Sequence, residues 1–259
     1  MQRLRRNPVA VTIPALILAW WALSHFGLIG PSLLASPHEV LAVIVRAFHP
    51  VASNEAVFHH AKDSLLRALT GWSVSLSLGV AIGLMLGLNS IACRAVEPIL
   101  EFCRSIPPVM AFPPLLVAFS FGEAAYIWAI AVGCLPITVL TVARGVQSLN
   151  HGRQELLAVH KVARSVQLLA SVVEILPSVF LAARVIFSFS IIVAIVTEMV
   201  FSPRSGFALG SLAKDSEISF DTPTFYACAV ILGAYGYVVN SLLRRIESWL
   251  GGVRTRQTS

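Results

Sequence analysis

Few residues in this 259-residue chain have both the type and the setting to do chemistry, and Glu198 stands out among them. It follows Ile195-Val196-Thr197 and precedes Met199-Val200 in a run that is otherwise apolar. An ionisable group at the centre of a membrane helix costs roughly 2.5–3.5 kcal/mol, so it faces protein or water and marks a relay, counter-ion or gate. A span over 176–201 puts Glu198 near one end, where it could equally reach the interface. Nucleotide hydrolysis by this chain is excluded. A phosphate-cradling loop ends in Lys-Ser or Lys-Thr, whereas Lys62, Lys161 and Lys214 are followed by Asp, Val and Asp. His59 and His60 are adjacent and do not share a helical face, so an exposed loop is a better reading than a metal pair. Neither a His-Glu-x-x-His nor a Gly-x-Ser-x-Gly sequence occurs. No catalytic residue, metal ligand set or cofactor is expected in the chain itself. Cys93, Cys103, Cys134 and Cys228 lie in or beside apolar runs without Cys-x-x-Cys spacing and read as buried small hydrophobes.

The elements that must position these residues follow from composition. Hydrophobic residues make up 56 % of the chain and charged residues 12 %, against roughly 45–50 % and about 25 % in ordinary globular domains. Mean hydropathy is +0.79. A soluble fold of this size could not cover itself with so little polar surface, which excludes a water-soluble enzyme. No Asp, Glu, Lys or Arg occurs over 7–38, 68–93, 185–197 or 222–243, and Glu123 is the sole charge over 105–143. Runs of about 20 apolar residues match a bilayer when helical. The chain reads as an all-α membrane protein with six transmembrane helices, at about 7–30, 64–88, 96–122, 124–143, 176–201 and 222–243.

Residues 31–64 are mixed in character, and Leu41, Val43, Ile44 and Phe48 fit a short amphipathic helix at the outer interface. Gly71, Ser75, Gly79, Gly83 and Gly87 recur every fourth residue and form one small-residue face for helix packing. Pro107, Pro108, Pro113 and Pro114 interrupt the third apolar segment. Broken backbone at membrane depth must be covered by protein or line a wet cavity. Two readings follow, a kinked structural helix or a wall of a translocation path. Residues 144–174 are too long for a turn and carry apolar residues at roughly helical spacing, which suits a partner's groove or a lipid surface. Basic residues then set the orientation. The first six residues, 89–95, 144–174 and the tail hold twelve Lys and Arg, against four in 31–64 and 202–221. That bias places both termini in the cytoplasm. The formal charge of +6 belongs to this asymmetry, and no nucleic-acid partner is expected.

Several runs, in order, resemble permease subunits of bacterial ABC importers. They belong to the branch serving nitrate, taurine, alkanesulfonates, bicarbonate and thiamine-pyrimidine precursors. These runs are His60-Ala-Lys-Asp-Ser64-Leu-Leu-Arg67-Ala-Leu-Thr-Gly71 and Arg104-Ser-Ile-Pro107-Pro108-Val-Met-Ala-Phe-Pro113-Pro114-Leu, the latter followed by Phe121-Gly122-Glu123. Leu176-Pro177, Arg184, Thr197-Glu198-Met199, Ser205-Gly206-Phe207-Ala-Leu-Gly210 and Arg244-Arg245-Ile-Glu247-Ser-Trp249-Leu complete the set. The resemblance covers about 31–250. It implies a type I ABC importer permease fold in the bacterial cytoplasmic (inner) membrane, and a small anionic solute or a thiamine-pyrimidine precursor as cargo. Implied partners are a second permease subunit, an ABC ATPase dimer carrying ATP and Mg, a periplasmic or lipid-anchored solute-binding protein, and membrane lipid.

Such permeases carry a cytoplasmic Glu-Ala-Ala loop, which aligns here with about 154–173. Glu155 lies one position from its acidic start, His160 stands at its glycine, and Val172-Val173 replace a Leu-Pro. The resemblance assigns ATPase coupling to Glu155, Leu156, His160, Arg164 and Leu169. It assigns the translocation path or gate to Arg104, Pro107, Pro108, Arg184, Glu198 and Met199. The rival class is an ion- or proton-coupled secondary transporter with Glu198 as the titrating group. Neither an inverted repeat nor a partner for Glu198 is evident in the sequence.

Overall fold

The computed structural model describes residues 8–27, 29–30, 32–47, 55–120, 122–148, 164–203 and 207–256, and among these there is no strand. In chain order the helices are α1 (Pro8–His25), α2 (Pro37–Ala47), α3 (Glu55–Gly87) and α4 (Ser90–Ser105), then a 3-10 turn (Pro108–Ala111) and α5 (Phe112–Ala118). They continue as α6 (Glu123–Gln147), α7 (Arg164–Val200), α8 (Leu209–Ile218) and α9 (Thr222–Arg256). Four stretches are long and apolar enough to cross a membrane: Val57–Gly87, Glu123–Gln147, Val173–Val200 and Thr222–Trp249. The remaining two expected spans fall on α1 and on the run from α4 to α5.

The run from α4 to α5 is not one helix. Ile106 and Pro107 are extended (ψ 124° at both), because each precedes a proline whose ring excludes the α conformation. Asn89 opens α4, its side chain accepting from the amides of Ile91 and Ala92, which satisfies two of the free donors of a helix start.

α3 and α6 form the central seam. A Cβ added at Gly71, Gly79, Gly83 or Gly87 would lie 2.5–2.8 Å from the Cβ of Ile130, Thr138, Val142 or Val146 respectively. Each partner lies 59 residues further along, so the two helices run parallel and their backbones touch through the glycine face. The chain must therefore recross between them, which is the work of α4 and α5. α7 runs antiparallel to both. Trp72 Nε1 donates to Ala183 O (2.8 Å), and a Cβ on Gly133 would reach both Pro108 and Val193. α9 is in turn antiparallel to α7, with Arg184 Nη1 2.9 Å from Glu247 and Asn240 Nδ2 3.3 Å from Ser188 Oγ. The core gathers Ala68, Ile130, Cys134, Ile186, Phe187 and Ala194 from α3, α6 and α7.

α1 and α2 attach at the end where α9 begins. Trp20 Nε1 donates to Ala35 O (2.9 Å), Tyr226 Oη donates to Leu33 O (3.0 Å), and the Trp20 and Tyr226 rings sit 6.1 Å apart. Ser36 caps α2, its amide (2.9 Å) and hydroxyl (2.6 Å) both donating to Glu39 Oε2. Those two hydrogen bonds hold the Glu39 carboxyl below its ordinary pKa, the hydroxyl contributing most.

Several expectations need correction. His59 and His60 are helical, not in a loop. α3 starts at Glu55 because Val57, Ala61, Ser64 and Ala68, at helical spacing, are all buried and extend the packed face. α7 begins at Arg164, so the last part of the expected cytoplasmic segment is continuous with the span that follows. Cys93, Cys134 and Cys228 are buried, but Cys103 is exposed, being on the outward face of the amphipathic α4.

The glycine seam makes a direct prediction. Gly79→Val and Gly83→Val should each destabilise the protein by about 1–3 kcal/mol through overpacking. Gly233→Ala and Gly236→Ala in α9, where an added Cβ meets nothing within 4 Å, should leave the thermal unfolding midpoint in detergent unchanged. Equal midpoints for all four variants would contradict the seam.

Candidate functional site: a buried ion network under α8

Beneath α8, where α7 ends and α3 and α6 begin, three ionisable side chains converge. Arg67 of α3 is 5 % exposed and Glu198 of α7 is fully buried. Arg67 Nη1 donates to Glu198 Oε1 (2.9 Å) and to Phe207 O (2.8 Å). Its Nη2 and Nε donate to the two oxygens of Glu123 at the start of α6, the Nη2 bond being 2.8 Å. The guanidinium lies 5.5 Å from the Tyr126 ring centroid, and Tyr126 Oη donates to Phe201 O. A planar fork with fixed donors suits this task better than a lysine ammonium would. Glu123 differs from Glu198 in being 47 % exposed, at the rim of a cleft of about 340 Å³ that Asp63 and Thr70 also line.

The second oxygen of Glu198 receives the start of α8. Gly210 N donates to Glu198 Oε2 (3.0 Å), and Ser64 Oγ donates to the same oxygen (2.7 Å) while accepting from Leu209 N (2.7 Å). A carboxylate facing free amides at a helix start is favourable by typically 0.3–1 kcal/mol, and by up to about 2 when partly buried. His60 Nδ1 accepts from Ala208 N (2.8 Å), and His59 stacks on Phe207 at 5.2 Å between centroids. Gly210 is required for this approach, since a Cβ there would lie 2.5 Å from Ile195 O and 2.6 Å from Glu198 Cβ. The arrangement has no catalytic logic. It is mechanical: residues of α3, α6 and α7 jointly pin residues 207–210 and α8 across their ends.

Of the residues singled out in the sequence, Glu198 lies in this network; Met199 follows it, its backbone N 3.1 Å from where a Cβ on Gly210 would stand. Arg184, fourteen residues earlier on the same helix, is about 21 Å away along the axis and pairs with Glu247. Arg104 pairs with Glu101, and Arg144 joins Glu97 (2.7 Å) and Glu101 (2.9 Å), all partly exposed. Exposed pairs of that kind contribute little stability. Pro107 and Pro108 mark the break after α4, with Pro108 packed against Gly133. Arg164 and Leu169 fall in the first turns of α7. Glu155, Leu156 and His160 lie outside the described residues. Among the described residues no group of three or more His, Cys, Asp or Glu could hold a metal.

The reading of single residues missed Arg67, Glu123, Ser64 and Gly210, although the runs compared with permeases contain them. A signal was present. Arg67 borders a charge-free stretch and Glu123 is the sole charge over 105–143, so both had to find opposite charges within the fold.

Residues 79–252 match the family described as binding-protein-dependent transport system inner membrane component. The taurine transport system permease protein TauC of Escherichia coli is 23 % identical over 250 residues, covering 94 % of this chain and 90 % of that one. The nitrate import permease protein NrtB of Leptolyngbya laminosa is 23 % identical over 254 residues, covering 94 % and 87 %. The bicarbonate transport system permease protein CmpB of Synechococcus elongatus is 24 % identical over 198 residues, covering 76 % and 70 %. A chain from an inward-facing structure of the MetNI methionine ABC transporter has the same fold, with a TM-score of 0.62 at 19 % identity. The match covers 82 % of this chain and 97 % of that one.

Removing one member of a buried pair strands the other. Arg67→Met should therefore cost about 3–5 kcal/mol, and Arg67→Met with Glu198→Gln should recover part of that loss. Glu123→Gln, at a half-exposed site, should cost under about 1 kcal/mol. Thermal unfolding in detergent reads all three. A double variant as unstable as the sum of its singles would contradict a direct pair.

Proposed function

We infer the working of this chain from one premise: it belongs to the family of binding-protein-dependent transport system inner membrane components. It is thus a transmembrane permease subunit of an ABC importer, a transport subunit and not an enzyme. The finer reading is that its cargo is a small solute with an anionic oxygen group. Three relatives named for taurine, nitrate and bicarbonate support this. Two permease subunits would enclose the path, a periplasmic or lipid-anchored binding protein would deliver solute, and an ATPase pair holding ATP and Mg would drive the cycle.

Geometry supports an orientation. The end of α1 meets the start of α9 through Trp20 and Tyr226, so Pro8 and Arg256 point to the side on which α3 and α6 also end. The segments that the sequence assigns to that side hold twelve basic residues against four, which makes it the cytoplasmic face of the bacterial inner membrane. The segment 144–174, with Glu155, Leu156, His160, Arg164 and Leu169, docks the ATPase there. Arg104, Pro107, Pro108 and Arg184 line the path. Glu198 and Met199 belong to the gate at the outer end.

The observation that carries this reading is the contrast between the two ends. Beneath α8 the helices are pinned by a fully buried pair, whereas at the other end Arg144, Glu97, Glu101 and Arg104 are held by exposed pairs. An outer end locked shut and an inner end free to separate describe an inward-opening permease. The same geometry weighs against Glu198 as a freely titrating proton carrier, since Arg67, Ser64 and Gly210 already occupy its oxygens.

Vesicles containing the permease, its ATPase and its binding protein should take up labelled taurine, nitrate or bicarbonate only with internal ATP. Uptake of any of these on a proton gradient without the ATPase would overturn the reading in favour of a secondary transporter.

A further inference from the structure

We propose that the groove between α2, α3 and α9 holds one acyl chain of an anionic phospholipid, with Lys62 binding the headgroup phosphate. The groove encloses about 430 Å³. Its floor is buried: Val57, Ala61 and Ile231 are 7 %, 6 % and 8 % exposed. Its lips, Phe58 and Val230, are 43 % and 44 % exposed and open sideways, off the helix faces. Most of its lining belongs to Val57–Gly87 and Thr222–Trp249, two stretches long and apolar enough to cross a membrane, and the rest to α2, so lipid is the medium expected at its mouth.

Three possible fillings differ sharply in free energy. Water needs two to four polar partners to be held, and apart from Lys62 and Tyr235 the lining is aliphatic or Phe. A void loses the dispersion contacts of all its lining atoms. An acyl chain restores those contacts and arrives from the surrounding bilayer without leaving an apolar environment. The walls are also small where a chain would lie deepest, at Ala47 and Ala61, while Ala234 is a small residue at the exposed edge of the groove.

Lys62 selects the headgroup. It is exposed, it lines the groove, and it makes no ion pair among the described residues. It stands about two turns from the start of α3, close enough to the interface for its stem to lie along the groove while its ammonium reaches phosphate. The neighbouring Asp63 lines a different cleft, beside Glu123, and makes no ion pair with Lys62. A basic residue near the surface favours an anionic lipid by about five-fold.

The full chain is purified from membranes containing phosphatidylglycerol and phosphatidylethanolamine and examined by native mass spectrometry. One phospholipid should remain per chain, with phosphatidylglycerol enriched about five-fold over its share of the membrane. Lys62→Gln, at an exposed position that the fold does not use, should keep the lipid and lose the enrichment. Ala234→Trp should fill the groove and release the lipid, with helix content by circular dichroism confirming that the chain is folded. Detergent alone on the parent, the same headgroup ratio in Lys62→Gln, or lipid retained by folded Ala234→Trp would each overturn the proposal. So would a parent dimer that Ala234→Trp converts to monomer, because a second copy would then be the occupant.

Discussion

A carboxylate sealed among apolar helices is tolerable only if both its oxygens find donors and its charge a partner, and Glu198 meets that condition. Its two oxygens take Arg67, Ser64 and Gly210, and these come from α3 and from the start of α8. The glycine at 210 and the serine at 64 both serve to bring donors to that one carboxylate. A buried pair of this kind adds little net stability over an apolar replacement. What it adds here is registry, since one ion pair fixes how three spans and α8 stand relative to one another.

The glycine seam supplies the complementary half. It lets the backbones of α3 and α6 touch along most of the thickness of the protein, and it needs no charge to do so. Close contact along the seam and a pinned end beneath α8 leave the freedom of the molecule at the other end. There the side-chain pairs, those of Arg144 and Arg104, are exposed. Under the proposed orientation, an importer permease that closes outside and opens inside would use that asymmetry directly.

The glycine face, the proline break and the short α2 were legible in the sequence because each is a local pattern: a four-residue period, a ring that forbids helix, a capped amphipathic turn. The partners of Glu198 were not, because Arg67 lies 131 residues away and no local period joins them. The start of α3 was misjudged for a related reason. His60 looks like a loop residue until the backbone of Ala208, from a distant part of the chain, arrives to bond it. Polar residues at the edges of spans are where local hydropathy fails and tertiary hydrogen bonding decides.

Hydrogen exchange at the start of α8 tests the central claim most directly, since the amides of Leu209 and Gly210 donate to Ser64 and Glu198 rather than within their own helix. The account predicts that peptides covering 207–218 are protected in the parent and lose that protection in Glu198→Ala, while peptides along the α3–α6 seam keep theirs. Unchanged protection of 207–218 in Glu198→Ala would contradict the claim that this carboxylate holds α8 in place.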